Sequence, residues 1–273
     1  MIIWKILLLF VSGLFAGFLA GFFGIGGGII LVLILMYYYD GIGISPDLIP
    51  KIAVATSLFT IVFTSISSTL KQYENKNVEW KLTITMGTAS VISALFGSKI
   101  ASSVSGSFIK IFIVVVIILA GLRMLFLGNS EIDVDDLTDY KSNVNPVSAF
   151  FWGFIAGIIS IFAGVGGGIL LVPVMNNLMK IPIKRAIGTS SSIIVLTSLF
   201  GTLGYIINGL GKPELSELGT IGFVDYTAGI PILLGSVITS RFGAHASYRT
   251  KSKILKKLFA LLLITVAIVT FFK

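Results

Sequence analysis

The stretch "GFFGIGGGIILV", residues 21–32, has five glycines in its first eight positions and lies in one of the most apolar regions of the chain. Glycine costs a helix about 1 kcal/mol per position relative to alanine. Glycines that pack membrane helices recur every four residues on one face, as Gly13, Gly17 and Gly21 do. Gly26, Gly27 and Gly28 are consecutive and point in three directions. They therefore predict an unwound turn, with the helix resuming at Ile29.

A second copy, "IFAGVGGGILLV", follows at residues 161–172. The glycines that align, 140 positions apart, are Gly24, Gly26, Gly27 and Gly28 with Gly164, Gly166, Gly167 and Gly168. Two further blocks recur in the same order: "KIAVATS" from Lys51 with "KRAIGTS" from Lys184, and "VEW" from Val78 with "VDY" from Val224. Three blocks in one order indicate an internal duplication.

The composition predicts an integral membrane protein. Of 273 residues, 55% are hydrophobic and 12% are charged, whereas soluble domains carry about 25% charged residues. The apolar segments long enough to cross a bilayer are 4–24, 52–70, 82–101, 108–127, 148–168, 186–207, 223–242 and 254–272. We expect an all-α polytopic membrane protein with about eight transmembrane helices, arranged as two homologous four-span repeats with broken or re-entrant helices at the two glycine motifs.

The expected division is a first repeat at 1–127, an acidic linker at 128–146 and a second repeat at 147–273. The N-terminus is expected to be a retained span, because it lacks a charged region followed by a cleavage site. Parallel and inverted arrangements of the repeats both remain open, since transporters use both.

Loop charge predicts orientation. If eight spans alternate, Lys51, Lys99 and Lys110 share a face with the basic loops of the second half, including residues 249–257. The positive-inside rule makes that face cytoplasmic, in the cell membrane, with both termini on the other side.

Several classes of function are excluded or disfavoured by what the sequence lacks. There is no cysteine, and His245 is the only histidine, so we expect no metal site. The net charge of +8 is typical of cytoplasmic loops and does not require nucleic acid. No carboxylate lies deep in an expected span, which argues against a buried proton or sodium relay. No catalytic motif or P-loop is present, so we expect neither an enzyme nor a cofactor.

The glycine motifs are the candidate binding site. An unwound turn before a helix start offers free N–H groups and the positive end of the helix dipole, which suit an anion. Hydroxyls of Thr56, Ser57, Thr189 and Ser190, at the starts of two expected spans, can donate to the same anion. The alternatives are close packing of glycines and hydrogen bonding between helices.

Other polar residues favour structural roles. Lys99, Arg123 and Arg241 are expected to anchor span ends or to snorkel. Trp80 and Tyr226, at matched repeat positions, are typical of an interfacial aromatic belt. His245 is expected in a loop.

The paired glycine motifs, each followed by a helix opening near Ala-x-x-Thr-Ser, resemble the sulfite exporter TauE/SafE family over residues 5–270. Pro173 follows the second motif, and Leu33 stands at the matched position of the first. The resemblance implies a transporter of sulfur-containing anions such as sulfite or organosulfonates.

The resulting hypothesis is a secondary transporter of a small anion, working by alternating access around the glycine breaks, with the lipid bilayer as its other partner. An anion channel and a non-transporting membrane scaffold are the alternatives. The sequence leaves the oligomeric state, the transported anion and the coupling ion open.

Overall fold

The structure is a computed structural model that describes residues 2–127, 144–216 and 219–271. Its helices are α1 (Ile2–Phe23), α2 (Gly28–Gly41), α3 (Leu48–Glu74), α4 (Trp80–Ser103), α5 (Gly106–Leu127), α6 (Pro146–Ala163), α7 (Gly168–Pro173), α8 (Ile183–Gly209), α9 (Pro213–Ser216), α10 (Tyr226–Arg249) and α11 (Ser252–Phe271). A π-helical turn, Val174–Leu178, continues α7, and β1 (Thr220–Ile221) pairs antiparallel with β2 (Val224–Asp225).

Within the described ranges, five helices are long and apolar enough to cross a membrane: α1, α3, α4, α6 and α8. The chain is thus a mostly helical, polytopic membrane protein, while eight spans in two repeats remain a prediction. The segment expected to span 148–168 ends at Ala163, because the second glycine motif stops α6 there. Most of the acidic linker, residues 128–143, lies outside the described residues.

Each glycine motif reverses the direction of the chain. A Cβ added to Gly27 would lie 2.6 Å from the carbonyl oxygen of Ala16, and one added to Gly167 would lie 3.0 Å from that of Ala156. Eleven residues of straight helix would separate these pairs by about 16 Å. α1 and α2 therefore form a helical hairpin, and α6 and α7 form another.

The glycines of α1 pack as the sequence predicted. They lie against the backbone of α10 in the same order along both helices: Gly13 at Ile232, Gly17 at Ser236 and Gly21 at Ser240. α1 and α10 are therefore parallel and touch without intervening side chains. Gly153 and Gly157 bring α6 equally close to α4, at Met86 and at Ser90.

The helices form two packed groups. α10 joins α1 and α3, and α4 joins α6 and α8. Hydroxyl pairs fix these contacts: Thr64 lies 2.6 Å from Ser236, and Thr197 donates to Ser90 over 2.7 Å. α3 of the first group packs against α8 of the second as extensively as against α10, and 83% of the apolar 18-residue stretch of α3 is buried. The contact between α3 and α8 is thus the central seam of the molecule.

α3 and α8 run antiparallel. The end of α3 lies beside the start of α8, where Arg185 pairs with Glu79. The start of α3 lies beside the segment after α8, where the N–H of Asp225 donates to Thr56 over 3.0 Å. We call these two ends of the bundle the Arg185 end and the Asp225 end.

This arrangement corrects the expected distribution of charge. Lys51, Lys99 and Lys110 lie toward the Asp225 end, where Asp47 of the loop before α3 accepts from the N–H of Gly106 at the start of α5. They do not share a face with the basic loops of the second half, because α2 returns the chain to the side on which α1 begins. The described basic residues at the Arg185 end are Lys71, Lys76, Lys81, Lys180, Lys184, Arg185, Arg241, Arg249, Lys251, Lys253, Lys256 and Lys257.

Candidate functional site

The two glycine breaks have the same backbone geometry. In the first break, Gly24–Gly27, three glycines have φ of 66°, 74° and 75°; in the second, Gly164–Gly167, the values are 66°, 71° and 84°. These left-handed conformations are strained for residues with a Cβ. The first glycine of each break also ends its helix in the manner common for C-terminal caps. The predicted unwound turns are confirmed, and the helices resume at Gly28 and Gly168, one residue earlier than expected for the first.

The breaks lie against each other. A Cβ on Gly28 would overlap the carbonyl oxygen of Gly164, and one on Gly168 would overlap the Cα of Ile25 and lie 2.7 Å from the carbonyl oxygen of Gly24. All residues of both breaks are buried. Non-helical backbone at membrane depth is tolerated when protein surrounds it or when it lines a cavity, and here each break covers the other.

Ser57 and Ser190 join each break to the opposite central helix. Ser57 of α3 donates to the carbonyl of Gly164 over 2.8 Å, and Ser190 of α8 donates to the carbonyl of Gly24 over 2.8 Å. Each serine belongs to one half of the chain and bonds the break of the other half. The two bonds therefore satisfy a carbonyl freed by each break and connect the two helix groups.

Thr56 and Thr189 have a second reciprocal role. Their hydroxyls accept from the N–H of Asp225 and from that of Glu79, over 3.0 and 2.9 Å. Asp225 and Glu79, the two donor residues, precede α10 and α4, so each threonine fixes the start of a helix in the other half. Both threonines lie deeper in their helices than expected, since α3 begins at Leu48 and α8 at Ile183. The threonines and the adjacent serines therefore have different partners: the threonines contact helix starts, and the serines contact the breaks.

The groups in contact with the breaks are hydroxyls and aliphatic side chains. Ile61 and Ile194 approach Gly26 and Gly166 from the middle of α3 and α8. Two serines that the sequence analysis did not single out also lie here. Ser160, in the last turn of α6, and Ser65, near Gly26, are buried, and their Oγ atoms have no hydrogen-bond partner among the described residues. Ser160 lies one turn before a glycine motif, and Ser65 lies one turn after Ile61 and is matched by Ser198 in the second half.

Of the basic residues considered earlier, Lys99 and Arg241 do not reach the breaks. Lys99 is exposed, and Arg241 is exposed and donates to Glu74 over 3.0 Å. Arg123 lies near the end of α5, and nothing is described of its side chain. His245 lies within α10, so its expected position in a loop is wrong. Trp80 and Tyr226 begin α4 and α10 at opposite ends of the bundle with exposed rings, as an aromatic belt would require.

Asp225 is a buried carboxylate that the sequence analysis placed only beside an aromatic residue. It caps α10 by accepting from the N–H groups of Thr227 and Ala228, over 2.8 and 3.1 Å. The hydroxyl of Tyr39, from α2, also donates to it over 3.1 Å. Its lone pairs are thus engaged in holding α2 and α10 together at the Asp225 end. Its backbone N–H holds the same point to α3 through Thr56.

Comparisons with known proteins agree with this architecture. A family model described as sulfite exporter TauE/SafE matches residues 9–270. A probable membrane transporter protein of Haemophilus influenzae is 34% identical, with 98% of each chain covered. Relatives of the same description in Methanocaldococcus jannaschii and Bacillus subtilis are 30% and 26% identical, over 91% and 95% of this chain and 89% and 94% of theirs. No solved structure matches the chain.

These relatives are named as transporters and not as enzymes, in agreement with the absence of a catalytic motif from the sequence. The match covers nearly the whole chain, including both glycine breaks and the central seam. The chain belongs to the sulfite exporter TauE/SafE family, and it is a multi-pass membrane transporter.

Proposed function

We propose that the protein is a secondary transporter of a small anion, sulfite or an organosulfonate, which passes between α3 and α8 where the two glycine breaks meet. The observation that carries this proposal is the reciprocal pair of hydrogen bonds from Ser57 to Gly164 and from Ser190 to Gly24. They place two unwound segments, two helix starts and two hydroxyl donors at one point of a membrane-embedded bundle.

The chemistry of this point suits an anion. α2 begins at Gly28 directly after the first break, and the N–H groups of a first helical turn lack intrahelical partners and carry the positive end of the dipole. The serine hydroxyls donate and have no charge of their own. The proposed ligands remain Gly24, Gly26, Gly27, Gly28, Ser57, Gly164, Gly166, Gly167, Gly168 and Ser190. Thr56 and Thr189 bind helix starts in this conformation and would contact an anion only near the ends of its path.

Alternating access follows from the two helix groups. α1, α3 and α10 form one packed body, α4, α6 and α8 form the other, and the serine bonds cross between them. Rocking of one group against the other separates the breaks and frees Ser57 and Ser190 to donate to the substrate. An inverted eight-span arrangement fits this motion, because the matched helices α3 and α8 run in opposite directions.

The charge distribution supports an orientation. The Arg185 end carries most of the described basic residues, so we assign it to the cytoplasm of a cell with this protein in its cell membrane. Both termini then lie on the other side. The expected location of the termini is retained, although the first-half loops change sides.

The test is uptake of labelled sulfite and labelled sulfoacetate into proteoliposomes by the wild type, Ser57→Ala and Ser190→Ala. Each serine variant leaves a buried carbonyl with one donor fewer, a change of about 1–3 kcal/mol. We expect saturable uptake by the wild type and a rate altered about tenfold in both variants, since tenfold corresponds to about 1.4 kcal/mol.

Ser103→Ala is the matched control, because Ser103 is exposed on α4 and donates only within its own helix, to Lys99 over 2.8 Å. It should transport at the wild-type rate. Uptake that rises without saturation would identify a channel. No uptake of either anion by well-folded wild-type protein would refute the proposal.

A further inference from the structure

The contact between α3 and α8 has two unequal parts on either side of the breaks. Toward the Arg185 end it contains Ser65, Ser68 and Gln72 of α3 and Ser191 of α8; we call this the polar seam. Toward the Asp225 end it contains Ser198, Gly201 and Tyr205 of α8 and Leu58 of α3; we call this the apolar seam. The "KIAVATS" and "KRAIGTS" blocks match Ser65 with Ser198, Gln72 with Tyr205 and Ser191 with Leu58.

The polar seam contains buried groups without hydrogen-bond partners. Ser65 is 2% exposed and Gln72 is 0% exposed, yet Ser65 Oγ and Gln72 Nε2 have no partner among the described residues. The Oγ1 atom of Thr69, one helical turn from Ser65, is also buried and has no hydrogen-bond partner among the described residues. Buried polar groups in folded proteins are nearly always paired, so each exception requires an explanation.

The side-chain amides of Gln72 and Asn77 lie at the outer end of this seam. Whichever way their nitrogen and oxygen atoms are assigned, one donor and one acceptor stay unpaired. Asn77 Nδ2 donates to Gln72 Oε1 over 2.9 Å, which leaves Gln72 Nε2 and Asn77 Oδ1 without partners. Exchanging nitrogen and oxygen in both amides reverses the bond and leaves one carbonyl and one NH₂ group unpaired again. The unpaired groups are therefore a property of the packing.

The apolar seam differs at each matched position. Ser198 donates to the carbonyl of Ile194 over 2.6 Å, Thr202 donates to that of Ser198 over 2.7 Å, and Tyr205 donates to that of Ile161 over 3.0 Å. Leu58 fills the place that Ser191 occupies in the polar seam. This side of the breaks is closed by satisfied hydroxyls and by hydrocarbon.

The polar groups follow one another from the first break toward the Arg185 end, and all of them are buried. Ser65 Oγ lies 3.7 Å from the Cβ position of Gly26, and Ser68 Oγ lies 3.3 Å from Ser191 Oγ. One turn further along α3, Gln72 contacts Asn77, whose carbonyl lies against Gly188 of α8. The Arg185 end follows directly, with its basic residues, which raise the local concentration of anions.

We propose that the polar seam is the half-path by which the anion moves between the glycine breaks and the Arg185 end, with Ser65, Thr69 and Gln72 as its successive neutral donors. This inference rests on the proposed function and specifies on which side of the breaks the anion enters or leaves. Neutral donors hold an anion without the binding strength of a cation, so they suit a path from which the anion must leave.

Cysteine labelling tests this path, because the chain has no cysteine of its own. Single variants Ser65→Cys and Ser198→Cys are placed in sealed vesicles of each orientation and treated with the membrane-impermeant anion 2-sulfonatoethyl methanethiosulfonate. We expect Ser65→Cys to react from the Arg185 side about tenfold faster than Ser198→Cys from either side, because thiol reactivity follows access and electropositive surroundings. Lys81→Cys, exposed at the same end, reports that the reagent reaches this face.

Transport after labelling provides the second measurement. Modified Ser65→Cys should lose sulfoacetate uptake, while modified Lys81→Cys should retain it. Equal labelling rates at Ser65→Cys and Ser198→Cys, or an inert Ser65→Cys beside a reactive Lys81→Cys, would overturn the polar seam as the open path. Labelling is measured without transport, so wild-type protein that transports neither anion would contradict the proposed function separately.

Discussion

The two helical hairpins share a break and differ in the helix that returns from it. After the first break, α2 continues regularly over the 14 residues Gly28–Gly41. After the second, α7 ends at Pro173 after six residues and passes into the π-helical turn Val174–Leu178. A proline lacks the N–H of the α-helical ladder and crowds the preceding turn, which a π-helical turn accommodates. The glycines therefore determine where the helix breaks. The residue five positions after Gly28 or Gly168 determines the conformation of the helix that follows the break.

Exchanging the residues at these two positions should have the largest effect on the stability of the protein. Leu33→Pro places proline in the interior of α2, where no π-helical turn relieves it, and should destabilise the protein by about 3 kcal/mol. We expect a clear decrease in the midpoint of thermal unfolding in detergent.

Pro173→Leu is the reciprocal variant. It should change stability by no more than about 1 kcal/mol, since the π-helical turn already accommodates position 173. Equal losses of stability in Leu33→Pro and Pro173→Leu would contradict the expectation that the two return helices tolerate proline differently.

A methyl group added to the first residue of each return helix tests whether the two breaks are equivalent. Gly28→Ala and Gly168→Ala direct a Cβ at backbone atoms of the opposite break, at Gly164 and Ile25. Overpacking of this kind costs about 1–3 kcal/mol. Both variants should lower the unfolding midpoint by similar amounts and reduce sulfoacetate uptake.

Gly41→Ala is the control, because a Cβ there meets nothing within 4 Å. It should leave both stability and uptake unchanged. A difference of severalfold between Gly28→Ala and Gly168→Ala would contradict the equivalence of the two breaks.

The pH dependence of stability that arises at Asp47, in the loop between the first hairpin and α3, should give the smallest effect. The N–H of Gly106, and next the ammonium of Lys51, hold the pKa of Asp47 below its usual range. Stabilisation from a lowered carboxyl pKa is present above the unfolded value of about 4 and is lost as the pH falls through the folded value. Unfolding midpoints of the wild type and Asp47→Asn should therefore differ slightly at pH 7 and converge as the pH falls through the folded pKa of Asp47. A difference that grows on acidification would contradict this role of Asp47.

The sequence predicted the parts of the fold that depend on local chemistry. Consecutive glycines identified both breaks, and glycines at four-residue spacing identified the packing face of α1. The direction of the chain after a break depends on packing at a distance, because an unwound turn can continue or reverse a helix. This is why Lys51 lies apart from the basic loops of the second half, with which it was expected to share a face. The partners of Ser57 and Ser190 could not be derived either, since they lie in the opposite half of the chain.

The proposed path of the anion lies between α3 and α8. Ser68 Oγ and Ser191 Oγ are 3.3 Å apart across this contact, and Thr64 Oγ1 and Ser236 Oγ are 2.6 Å apart within one helix group. Side chains this close are candidates for disulfide formation when both are replaced by cysteine. The first pair joins the two groups, and the second joins α3 to α10 inside a group.

The most direct measurement is sulfoacetate uptake by the two double-cysteine variants before and after oxidation; sulfoacetate is used because sulfite itself cleaves disulfides. If the anion passes between α3 and α8, oxidised Ser68→Cys/Ser191→Cys should lose uptake, and a reductant should restore it. Oxidised Thr64→Cys/Ser236→Cys should transport as its reduced form does. Undiminished uptake through a Ser68–Ser191 crosslink formed in most molecules would contradict passage between α3 and α8.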